Sequence, residues 1–118
     1  MSEYQIFIDT ILIGHSAFEC GDPPMGVVSG NFLPMPAYGR FRSQFIALRE
    51  SSQEHLPLSA ARINGEVILS KGVSIFDCLT ELEEIQVTVF GIAYPLYEEL
   101  FPDFVLAYDR QYSIINNS

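Results

Sequence analysis

The densest set of chemically capable side chains lies between residues 15 and 26, where His15, Glu19, Cys20, Asp22 and Met25 share one short stretch. A histidine beside a cysteine can take the thiol proton and leave a nucleophilic thiolate. His15 precedes Cys20 by five residues. That spacing does not by itself bring the two side chains together. No third group is marked to orient the imidazole, and no cysteine-protease context surrounds Cys20. The alternative is a small buried thiol beside a loop.

The same stretch invites a metal reading. His15 and Glu19 are four apart, which on a helix puts both on one face. Gly14 and Gly21 and the preceding apolar run argue against a helix here. Zinc sites declare themselves by paired Cys or His at short spacing, and the chain has no CxxC and no HxxxH. The other histidine, His55, lies in a polar segment. The expectation is no metal and no cofactor, with His15 a hydrogen-bonded histidine. The glycines from Gly14 to Gly30 form neither GxGxxG nor GxxxxGK, so no phosphate cradle is expected.

Cys20-Gly21-Asp22-Pro23-Pro24-Met25-Gly26 fixes a specific backbone path. Each proline locks its own φ and holds the residue before it extended. Gly21 and Gly26 supply the freedom the prolines remove, including φ > 0. Asp22 is placed to cap nearby amides in an Asx-type turn, and the two prolines position Met25. Such a loop either turns the chain or builds a site. His15, Cys20, Asp22 and Met25 are therefore the candidate residues of a small enzyme or ligand-binding site.

The carboxylates carry a different signal. From Gly72 to Asp109 there is no Lys, Arg or His. The window holds Asp77, Glu81, Glu83, Glu84, Glu98, Glu99, Asp103 and Asp109, a formal charge of −8. Five of the six basic residues (Arg40, Arg42, Arg49, Arg62 and Lys71) lie earlier. If folding gathers these acids, the molecule presents a negative face suited to a basic protein. Glu83-Glu84 and Glu98-Glu99 are the candidate binding pairs; otherwise they are solvated charges. Tyr94, Tyr97 and Phe101, with Leu96 and Leu100, lie beside the acids, as an interface or as ordinary core.

The elements that must position these groups follow from periodicity. Residues 4–13 read as one strand, with Ile6 and Ile8 on one face. Residues 26–33 read as a second, with Gly30 a candidate bulge. Phe41, Phe45 and Leu48 share a helix face over 38–50, leaving Arg42 and Arg49 in water. Asn64-Gly65 predicts a two-residue type I′ hairpin between SAARI and EVILS. IQVTVF at 85–90 is a strand with Ile85, Val87 and Val89 inward. Pro95 opens a short helix that Pro102 ends. Phe104, Tyr108 and Tyr112 then suggest a C-terminal helix, although FVLAY also suits a strand. Together these give a single α+β domain over residues 1–118, with a mostly antiparallel sheet of about five strands and two or three short helices.

Composition bounds the function. The 118 residues carry a net charge of −9, 48% hydrophobic and 18% charged side chains. This is a globular chain with a low charged fraction, so a partner or a second copy covering apolar surface is one expectation. A charge of this sign excludes nucleic acid, which needs a basic patch, and an anionic membrane surface. No apolar run approaches a membrane span. Two cysteines and no signal-peptide pattern indicate free, buried thiols in the cytoplasm. The leading expectation is a non-enzymatic, acidic protein-binding module, inhibitor- or immunity-like, that masks a basic partner. The alternatives are a site on the 15–26 loop and a structural homodimer.

Overall fold

The computed structural model describes residues 3–48, 52–53, 56–78 and 84–116, with side chains as far as residue 111. The first apolar run is two strands. β1 (Tyr4–Ile8) buries Tyr4, Ile6 and Ile8. Asp9 then takes φ 55°, and β2 (Ile11–Ser16) returns antiparallel with Ile11 opposite Ile8. Aspartate is among the few residues that visit this left-handed region readily. The Asp9 N–H is held by the Pro57 carbonyl at 2.7 Å.

The chain next changes sheet. Phe18, buried and at φ 47°, turns it; its N–H donates to Ser16 Oγ at 3.1 Å. β3 (Cys20–Asp22) leads into a 3-10 turn at Pro23–Met25 and then β4 (Val27–Asn31). Asp22 is extended, as a residue before proline must be, at φ −129° and ψ 88°. Its side chain makes no capping bond, contrary to the Asx-turn expectation. The turn is closed instead by the Gly26 N–H on the Pro23 carbonyl at 3.0 Å, with Gly26 at φ 65°. Gly21 is needed for space and not for a positive φ, because the Phe104 ring fills the volume a Cβ would take.

At Phe32 the chain changes sheet again. Its N–H still reaches the Ile85 carbonyl at 2.8 Å, but β5 (Leu33–Pro34) pairs with β2. A 3-10 turn at Pro36–Arg40 runs into α1 (Arg42–Ala47), which buries Phe45. β6 (Leu58–Arg62), β7 (Gly72–Cys78) and β8 (Glu84–Phe90) follow. Two helices close the chain, α2 (Leu96–Leu100) and α3 (Pro102–Asn116).

The architecture is α+β, with two four-stranded antiparallel sheets, β5-β2-β1-β6 and β3-β4-β8-β7. One sheet of about five strands was expected; the crossings at Phe18 and Phe32 split the strands between two. Both sheets feed one core: Ile6, Ile13 and Ala60 from the first, and Val28, Ile75, Val87 and Val89 from the second. Fully burying a Val or Ile side chain stabilises by roughly 1.5–3 kcal/mol.

The Asn64-Gly65 hairpin exists in another form. The Gly65 N–H bonds the Arg62 carbonyl and the Arg62 N–H bonds the Glu66 carbonyl, both at 2.8 Å. Only Gly65, at φ 92°, is left-handed; Asn64 is not. The loop is therefore three residues long, a turn followed by a glycine bulge. The Asn64 side chain accepts the Glu66 N–H at 3.0 Å.

α3 is embedded only by its first turns. Val105 is buried and Phe104 half-buried, whereas residues 106–111 are all exposed. No helix among the described residues is long and apolar enough to cross a membrane.

Candidate functional site

The acids and aromatics near the C-terminus meet the 22–26 turn. Tyr97 joins them. It is fully buried, and its hydroxyl donates to the Val27 carbonyl at 2.9 Å, which ties α2 to the start of β4. The rings step outward from the core. Phe101 lies 5.4 Å from Tyr97, and Tyr97 lies 5.7 Å from Tyr94 in a stacked pair. Tyr97 and Phe101 are ordinary core; Tyr94 is 51% exposed.

This outer ring lies in an acidic field. The Tyr94 phenol pKa is raised, first by partial desolvation and then by the charges of Glu98 and Asp109 and by Tyr108. Tyr97 is pushed up to about 12, by burial first, then by Tyr94 and the Asp22 charge, with the Asp22 backbone opposing. Asp22, Glu98 and Asp109 thus converge on two stacked tyrosines from three separate elements. α3 also touches the Pro23–Met25 turn, where Met25 is 68% exposed. Tyr108 adds further exposed aromatic surface from α3. The result is an aromatic and methionine surface rimmed by negative charge.

The candidates from sequence divide accordingly. Asp22, Met25, Glu98 and Glu99 lie in this region, with Glu99 exposed on α2. Glu84 is exposed at the start of β8, about 20 Å along the strand from its other end, where the Ile92 N–H meets the Gly26 carbonyl. It is not part of the patch. Glu83 lies outside the described residues, as do Glu81, Arg49 and His55.

His15 and Cys20 are not brought together. His15 is half-buried in β2, between Gln5 and Leu33 of the first sheet. Cys20 is exposed on β3 of the second sheet, opposite Ser29. Among the described residues no hydrogen bond joins them. Cys78 is buried at the end of β7, and no disulfide links the two cysteines. The expectation of two buried thiols therefore holds for Cys78 and fails for Cys20. No cluster of three or more metal-ligating side chains occurs among the described residues. Clefts among the described residues include one of about 260 Å³ between Phe18 and Phe104, one of about 360 Å³ beside β7, and one of about 580 Å³ near Leu33 and Ile63. None of these three is lined by His15, Cys20 or Asp22.

Asp77 corrects the reading of the acids as a surface field. It is 1% exposed. It accepts the Tyr38 hydroxyl at 2.7 Å and the Arg42 Nε–H at 3.3 Å. Arg42, expected in water, is 37% exposed and committed to this pair. Burial, then the hydrogen bond and charge of Asp77, hold the Tyr38 phenol far above its ordinary pKa, with Arg42 opposing. The signal was present in the sequence: Val73, Ile75 and Asp77 alternate, so an inward strand face carries Asp77 into the core.

Compared with known protein families, curated proteins and solved structures, the chain has no significant match.

Proposed function

We propose that this chain is a cytoplasmic binding module for a basic protein, engaged at the surface of Met25, Tyr94 and Tyr108. The observation that carries the reading is the half-exposed Tyr94 ring, whose phenol lies in the field of Glu98 and Asp109. A partner arginine laid on that ring gains a cation–π contact of about 0.5–1 kcal/mol at an exposed site. It also finds a carboxylate for its guanidinium donors. Met25 supplies an adaptable apolar neighbour. An inhibitor- or immunity-like role, masking a basic enzyme surface, is the specific form of this reading. The alternative, a small enzyme or ligand site on the 15–26 loop, would have to draw on His15 of the first sheet and Cys20 of the second.

The test is a titration of the isotope-labelled chain with arginine-rich, lysine-rich and acidic peptides. Binding is expected to rise with peptide charge and fall with salt, because exposed charges are screened beyond about 8 Å at physiological ionic strength. Amide shifts should centre on Met25, Tyr94 and Tyr108, and E98K/D109K should lose them. Shifts centred elsewhere, or equal binding of acidic peptides, overturn the reading.

A further inference from the structure

β7 is an edge strand of the second sheet, and its free edge is only partly covered. Ile75 turns both peptide groups away from β8. Its N–H donates to Gln53 Oε1 at 2.9 Å, and its carbonyl accepts from Gln53 Nε2 at 2.8 Å. A primary carboxamide has the donor and acceptor of one peptide group. Gln53, itself buried, therefore stands in for one residue of a neighbouring strand.

In an antiparallel ladder such outward pairs recur at every second residue. Val73 therefore presents its N–H and carbonyl on the same edge. β8 gives the same phase, since the Ile85 carbonyl is taken from the β4 side by the Phe32 N–H. That leaves Thr88, opposite Ser74, to bond across to β7. No group among the described residues takes the outward pair of Val73. The residue is only 6% exposed. It lines a cleft of about 360 Å³ with Leu56, Leu58 and Phe90 as apolar walls. That volume lies within the ordinary range for ligand sites. Lys71 lines the same cleft, and no acid among the described residues pairs with it.

We propose that this cleft is a strand-addition site for an extended peptide bearing a carboxylate. One peptide residue exchanges N–H and carbonyl bonds with Val73, beside the bond pair that Gln53 already makes, and the carboxylate lies against Lys71. Backbone pairing of this kind supplies affinity, and the apolar walls select side chains. The site is separate from the Tyr94 surface and takes a partner of opposite charge, so neither reading depends on the other.

The probe is acetyl-Thr-Val-Thr-Val with a free C-terminal carboxylate, added to the full chain and read by amide hydrogen exchange. At saturation the Val73 amide should exchange about tenfold more slowly, with little change at Val87. N-methylating the peptide backbone should abolish the effect. Capping its carboxylate as an amide, or changing Lys71→Ala, should weaken binding about fivefold, by loss of a charge-assisted contact. Gln53→Ala frees the Ile75 pair and should tighten binding; if that variant fails to fold, the N-methylated peptide on the wild-type chain decides. Unchanged exchange at Val73, equal binding by the N-methylated peptide, or protection that rises with chain concentration without peptide overturns the proposal. The last outcome would assign the edge to a second copy of this chain.

Discussion

Tyr38 and Tyr94 both sit beside carboxylates, and the two neighbourhoods do opposite things. Around Tyr38 the chain supplies every partner itself. The phenol donates to Asp77, Arg42 closes the pair, and Phe32 and Phe45 lie 4.9 and 5.7 Å from the ring. Around Tyr94 only one face is used, by Tyr97, and the other meets solvent among Glu98, Asp109 and Tyr108. The same chemistry is a bolt in one place and an exposed surface, the proposed docking site, in the other. Burial decides which. A desolvated carboxylate must be paired within the fold, whereas a hydrated one is left to meet a cation from outside.

The comparison breaks first at Asp77. Asp77→Ala removes the acceptor of a buried hydroxyl and the counter-ion of Arg42. It should cost about 3 kcal/mol in denaturant unfolding, near the lower end for breaking a buried pair, because Arg42 can still reach water. Glu98→Ala and Asp109→Ala should each stay within about 0.5 kcal/mol, as surface changes do. If Asp77→Ala proves as mild as the other two, the distinction between bolt and surface is lost.

Alkaline pH sharpens the same contrast. Tyr97 has its folded pKa raised to about 12, above the ordinary unfolded value near 10. Between those two pH values the unfolded chain gives up a proton that the fold retains. The stability this contributes is fully present below pH 10 and is lost as pH rises towards 12. Tyr38 is raised in the same sense, so it adds to the loss at high pH. Tyr97→Phe should flatten stability against pH in that window while costing about 1 kcal/mol at neutral pH for the lost bond to the Val27 carbonyl. Tyr94 is half exposed and its pKa is raised in the same sense, so Tyr94→Phe should flatten the alkaline slope too, but less than Tyr97→Phe does. Urea melts at several alkaline pH values distinguish these outcomes.

How much of this was legible depended on distance along the chain. Ile85, Val87 and Val89 were readable because alternation is local, and all three are buried. The short helix after Pro95 was readable for the same reason. Two sheets were not, because the bends at Phe18 and Phe32 leave no mark in a hydrophobic pattern. The strand at 72–78 carries an inward acid, Asp77, which composition alone assigns to the surface charge. Its partners Tyr38 and Arg42 lie 39 and 35 residues away, and only the fold brings an arginine to an inward acid. The patch has the same origin. Met25 and Tyr94 belong together only because the Tyr97 hydroxyl meets the Val27 carbonyl across 70 residues.

The smallest expected effect falls on Asp22, where the two regions are easiest to confuse. The sequence gives it the look of a structural brace, an acid before two prolines. The fold leaves its side chain without a capping bond, and the turn is closed by the backbone of Pro23 and Gly26. Asp22→Ala should therefore change stability by less than about 0.5 kcal/mol. Its charge nonetheless reaches the tyrosine stack, since it helps to raise the Tyr97 pKa. Removing it should lower that pKa and weaken binding of an arginine-rich peptide by about twofold, the scale of one screened rim charge. A loss of stability near 1 kcal/mol would make Asp22 part of the scaffold, as Asp77 is. An unchanged affinity in a fully stable variant would remove it from the rim and confine the docking surface to Glu98, Asp109 and the rings between them.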